Sequence, residues 1–178
     1  MSNIEADVVR NDPFWSVVRR RHPDLDIVIL PPEPAPVADS GLPERTAEPF
    51  AELEIAEADG WWAQLVGHGT PTTTRRWIPG PTGDSVRHTA TLTLDDVSST
   101  AGLGHLREAG ALLDADGWHV FTPPTGMPRV TADRPGELGV ESLLFGYAPD
   151  AGRLFLRLTS TGLPVGAERA RELIGAPA

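Results

Sequence analysis

Histidine titrates close to neutrality, so His68, His88, His105 and His119 are the first places to look for a general base or a metal ligand. His68 sits in the turn Gly67-His68-Gly69, His105 in a helix-like stretch, and His119 at the start of a strand-like one. His88 falls on the apolar side of an alternating strand, where its ring must find a partner or stay neutral. No pair has the His-x-x-x-His or His-Glu-x-x-His spacing that puts two ligands on one helix face, so no metal site is expected. Arg75-Arg76-Trp77 could stack on and pair with an anionic ligand, and Asp95-Asp96 could hold a cation. A hydrolytic or ligand-binding site would need His88, Arg75 and Asp95 or Asp96 to converge. The competing account makes them parts of an amphipathic strand and its solvated end.

Several chemistries are excluded outright. The chain has no cysteine, which removes disulfides, thiolate nucleophiles and cysteine-ligated metals. It has no lysine, which removes the phosphate-loop lysine and Schiff-base formation by a side chain. No Gly-x-Ser-x-Gly elbow occurs. Ser98 and Ser99 precede a helix, where capping accounts for them, and Ser160-Thr161-Gly162 ends a strand. Gly102-Leu103-Gly104 begins like a dinucleotide fingerprint, but Arg107 stands at its third glycine position. No catalytic set and no cofactor are expected. The net charge of −10 repels nucleic acid and anionic lipid. An acidic start without a basic-then-apolar order, and no apolar run of membrane length, point to a soluble cytoplasmic protein.

These residues need elements to hold them. Asp12-Pro13 opens a short helix carrying Phe14, Trp15, Val17 and Val18, with Arg19, Arg20 and Arg21 at its C-terminal end, where they suit the helix dipole. Residues 26–30 read as a buried strand. The proline tract that follows cannot join a sheet. Residues 1–36 are thus a helix-strand arm, 37–48 a Pro-rich acidic linker, and 49–178 the main domain.

Within that domain the tetrapeptide Ala-Asp-Gly-Trp occurs twice, at residues 58–61 and 115–118. Each copy follows a helical pattern, which predicts two copies of one unit: a helix stopped at glycine, then antiparallel strands. The first unit has strands over residues 61–66, 72–78 and 86–94, with a helix continued through 61–66 as the alternative for the first. The last shows the clearest period-two alternation in the chain. The second has a helix from Ser99 or Thr100, a short strand over 118–122, an irregular stretch over 123–135, and a hairpin. Glycines on its helix cost propensity and let it approach a sheet closely. The hairpin turns at Pro149-Asp150-Ala151-Gly152, which pairs Tyr147 with Leu154, Phe145 with Leu156 and Leu143 with Leu158 on one apolar face. A helix over 167–174 closes the chain. The fold class is α+β, a mostly antiparallel sheet with helices on one side.

This element order, with the acidic charge, resembles the small α+β fold of type III secretion chaperones from residue 49 onward. The resemblance implies a non-enzymatic module that binds an unfolded or helical segment of a protein partner, usually as a homodimer. Composition rich in Ala, Gly, Pro and Arg without lysine suits a GC-rich, actinobacterium-like genome and an accessory role near type VII secretion. Candidate binding residues are Phe14, Trp15, Arg19, Arg20, Arg21, Arg75, Arg76 and Trp77. Acidity alone supports a further alternative, an immunity-type protein that neutralises a basic toxin.

Overall fold

The computed structural model describes residues 39–67 and 69–176, together with Val17, Val18 and Arg21. The chain divides into two compact units, Met1–Ala35 and Pro36–Ala178. In the first, Val17, Val18 and Arg21 are helical and Arg21 is exposed. The expected strand over 26–30, most of the proline tract, and His68 lie outside the described residues.

The second unit is α+β. Its elements are α1 (Ala47–Leu65), β1 (Thr72–Pro79), β2 (Ser85–Leu94), α2 (Ser99–Ala115), β3 (His119–Phe121), β4 (Arg129–Gly136), β5 (Gly139–Ala148), β6 (Arg153–Thr159), β7 (Leu163–Pro164) and α3 (Ala167–Gly175). All the strand pairs are antiparallel, in the order β1-β2-β6-β5-β4-β3, with β7 also paired to β2. Among the described residues no helix is long and apolar enough to cross a membrane.

The hairpin of β5 and β6 has the register its pattern predicts, from Ser142 opposite Thr159 to Ala148 opposite Arg153. A tight turn at Pro149–Ala151 with Gly152 in the left-handed region (φ 57°) closes it. Phe155 lies over Gly146, leaving no room there for a Cβ. α2 also starts and stops where expected. The Ser98 hydroxyl accepts from Ala101 N at 3.3 Å, and Gly117 turns the chain out of the helix at φ 85°. Gly102 lets α2 lie directly on the Tyr147 ring, which a Cβ would meet at 2.5 Å.

Three expectations are corrected. Residues 61–65 are helix, not strand, so the first strand set has two members rather than three. Ala58, Trp61, Trp62 and Leu65 have the spacing of one helix stripe, and all four are buried. Burying two tryptophans outweighs the cost of about 1 kcal/mol for Gly60 inside a helix. The two Ala-Asp-Gly-Trp copies are therefore not equivalent: Trp61 is within α1, while Trp118 leads into β3. Their rings instead meet edge-to-face, 5.8 Å apart at 85°. Finally, residues 129–136, within the stretch expected to be irregular, form β4, which has a full partner in β5. Toward the N-terminal end, Asp84 receives the Ser40 N–H at 3.0 Å and its hydroxyl at 2.7 Å. Arg45 N donates to Pro164 O at 2.8 Å, and the helix begins at Ala47.

The three helices lie on one side of the sheet. Buried residues on that side form two clusters. The larger joins Ala58, Trp61, Trp62 and Leu65 of α1 and Leu106, Ala109 and Leu113 of α2 to the strand residues of the hairpin, β2 and β4. The smaller joins Ala47 and Phe50 of α1 to Val86, Leu163, Val165 and Ala170.

Candidate functional site

Between the two clusters the helix side of the sheet is polar. Trp77 of β1 faces His88 of β2, and Ser160, just past β6, donates its N–H to His88 O at 2.9 Å. Continuing the hairpin register by one residue sets Ser160 opposite Glu141 of β5, which faces Arg134 of β4. A row of Trp77, His88, Ser160, Glu141 and Arg134 thus crosses the sheet beneath α1. The row arises because period two places His88, Ser160, Glu141 and Arg134 on the same side as Ala90, Leu158, Leu143 and Ala132, core residues two positions away in the chain.

At one end, the His88 ring packs edge-on against Trp77 at 5.0 Å, and Phe50 stacks on Trp77 at 6.5 Å. His88 is buried, and its Nδ1 reaches no protein partner. Burial lowers its pKa, and the charge of Arg75 lowers it further. His88 and Trp77 line a pocket of about 340 Å³ that also takes in Glu48, Glu52, Arg75 and Arg76. The structure therefore brings His88, Arg75 and Trp77 together. Arg76, one residue along an edge strand, holds a position on the opposite side of the sheet but also lines this pocket.

Asp95 and Asp96 do not join them, which corrects the convergence a hydrolase would need. They lie past the far end of β2, seven and eight residues from His88, or about 23 Å and beyond along an extended strand. Asp95 there pairs with Arg153 at 2.7 Å. Ser160 is next to His88, but its hydroxyl accepts from His88 N at 2.8 Å and donates to Thr161 O at 2.8 Å. That proton is committed to the backbone, so the two are not a nucleophile and its base.

The other end of the row holds groups that motif spacing does not reveal. Arg134 bridges two acids: its Nη2 donates to Glu57 Oε1 and its Nε to Glu141 Oε2, each at 2.5 Å. The guanidinium stacks 4.4 Å from the Trp118 ring, which fixes it from below. Glu54 adds a third carboxylate, and one oxygen of each glutamate lies within 4.8 Å of the others. Burial raises the Glu54 pKa to about 7, with the charges of Glu141 and Glu57 adding to the effect and Arg134 opposing it. Burial raises Glu141 as well, despite the Arg134 hydrogen bond. The only trace of this cluster in the sequence is Glu54 itself, a polar residue on the stripe that runs Phe50, Glu54, Ala58, Trp61, Leu65.

The side of the sheet away from the helices is covered by no described element. Its strand positions carry Arg76, Arg87, Arg129, Arg153 and Arg157, many threonines, and Asp133 as the acid. Opposite it, α1 bears Glu48, Glu52, Glu54, Glu57 and Asp59 with no basic residue. Near the β3 edge of the open side a groove of about 340 Å³ is lined by His119, Phe121, Asp133, Leu144, Arg157 and Thr159. Phe121 is 62% exposed there. Of the candidate binding residues, Phe14, Trp15, Arg19 and Arg20 lie outside the described residues.

Comparisons with protein-family models, with curated proteins and with solved structures find no match to this chain.

Proposed function

We propose that the chain is a non-enzymatic protein-binding module whose sheet face away from the helices, covered by no described element, takes an extended, acidic segment of a protein partner. The observation that carries this is the division of charge. Arginines gather on the broad open side, while acids gather on α1, in a chain of net charge −10. An acidic segment would be steered to the open side and away from the helices. The groove beside Phe121 offers an apolar anchor flanked by Arg157. The outer edge of β3, paired on one side alone among the described residues, can accept backbone hydrogen bonds from an added strand. The scattered histidines and the committed Ser160 hydroxyl favour binding over hydrolysis.

The test is selection from a displayed random-peptide library on the full chain, followed by binding of the selected peptides to variants. The expected peptides are acidic, with β-branched or aromatic residues at alternate positions. Their binding should weaken with added salt and be lost in Arg157→Glu and Phe121→Ser. Selection of basic peptides, as an immunity-type role would require, or binding untouched by both substitutions, would overturn the proposal.

A further inference from the structure

We propose that Glu54, Glu57 and Glu141 form a site for a hard divalent cation, calcium foremost, which would clamp α1 to β5. The donor set is three carboxylates with no imidazole or sulfur among them, and oxygen-only sets select hard cations. One oxygen of each lies within 4.8 Å of the others. Ligands of a single calcium, each bound at about 2.3–2.6 Å, stand at most about 5 Å apart, so the three fit one coordination shell.

A second observation points the same way. Glu141 is only 8% exposed, yet its Oε1 accepts no protein hydrogen bond, and neither does the buried Oε2 of Glu54. A buried carboxylate oxygen without a donor is costly, and a cation at this place would satisfy both. Arg134 does not need to leave. It holds Glu57 Oε1 and Glu141 Oε2 from one side, which leaves the second oxygen of each carboxylate for the ion. That is how an outer partner orients a metal-binding carboxylate. Against the three carboxyl groups Arg134 supplies one positive charge. Arg87, the next nearest, gives its hydrogen bonds to the carbonyls of Ser160 and Val140 at 2.7 and 2.6 Å. The Glu57 side chain is 33% exposed, which leaves an entry path and room for water ligands. Calcium accepts such an irregular shell, whereas magnesium requires a near-octahedral one.

The experiment is calorimetric titration of the chelator-treated full chain with calcium chloride at constant ionic strength, with thermal unfolding as a second readout. One saturable site is expected, with Kd in the range of about 10⁻⁵–10⁻³ M, and a melting temperature that rises with calcium. Glu54→Gln and Glu141→Gln should each weaken binding by about tenfold or more, the scale seen even when an outer partner of a ligand is changed. Glu52→Gln, on the exposed part of the same helix, should leave binding unchanged. Absence of saturable heat up to about 10 mM calcium in the wild-type chain overturns the proposal. So does an unchanged response in Glu54→Gln, or an equal rise in melting temperature from sodium chloride at matched ionic strength.

Discussion

The two halves of α1 rest on one sheet and meet opposite surroundings. The C-terminal half sets Ala58, Trp61, Trp62 and Leu65 against Leu92, Phe145, Leu156 and Leu158 in the larger apolar cluster. The hydroxyl within it, on Tyr147, donates to Val97 O at 2.9 Å. The N-terminal half carries Glu54 and Glu57 over a row that holds His88, Glu141 and Arg134. Apolar burial does not change with pH, because its driving force scales with area removed from water and involves no titrating group. The polar half gains or loses stability with protons and ions, because its groups change charge in a poorly solvated place. A helix seated this way is anchored at its far ends, by Ala47 and Phe50 as well as by the tryptophans, and responsive between them.

The comparison can be pressed by substitution, starting with the apolar half. Leu156 is fully buried on β6. Leu156→Ala should cost about 2–5 kcal/mol in chemical denaturation, and by the same amount at pH 5 and pH 8. A strongly pH-dependent loss would mean that the two halves are not separable.

Glu54→Gln should act with the opposite sign. The folded chain holds the Glu54 proton up to about pH 7, while the unfolded chain releases it near the ordinary value of 4.5. Folding therefore takes up a proton between those values, and stability falls as pH rises through that window. The amide removes this slope. In chelator, the variant should match wild type near pH 4.5 and exceed it above pH 7, by on the order of 1 kcal/mol after allowing for solvent screening. A variant less stable than wild type at pH 8 would show that the charged carboxylate is stabilising.

The smallest effect is expected at His88. Its folded pKa lies below the ordinary 6.5, so the unfolded chain binds a proton first as pH falls. Stability should drop as pH goes below about 6.5, and His88→Gln should flatten that limb while leaving the region above pH 7 unchanged. Denaturation curves of the two proteins at pH 5.5 and 7.5 compare them directly. An identical acid limb would mean that His88 takes up its proton in the folded state.

Where structure depends on near neighbours in the chain, it is legible in the residues themselves. The register of β5 and β6 follows from a four-residue turn and two alternating strands, because a slip of one residue would turn Leu143, Phe145, Leu156 and Leu158 to the other side. Ser98 and Gly117 mark the ends of α2 for equally local reasons: one hydroxyl near a free N–H, and one residue able to take positive φ. The alternation of Val86, His88, Ala90 and Leu92 is enough to place His88 on the buried side of its strand.

Tertiary packing decided the rest. Asp-Gly is a helix stop at 116–117 and not at 59–60, because Trp61 and Trp62 have Trp118 and the sheet to pack against. That contact joins segments far apart in the chain and outweighs local propensity. Pairing with β5 turned residues 129–136 into a strand. The glutamate cluster is the extreme case. Glu54 and Glu57 sit three apart on α1, but Glu141 joins them only because α1 crosses the sheet over β2 and β6, next to β5. Residue types and spacing specify each face of each element. Which face lies over which is settled by burying all the faces at once, and no short stretch of chain records that outcome.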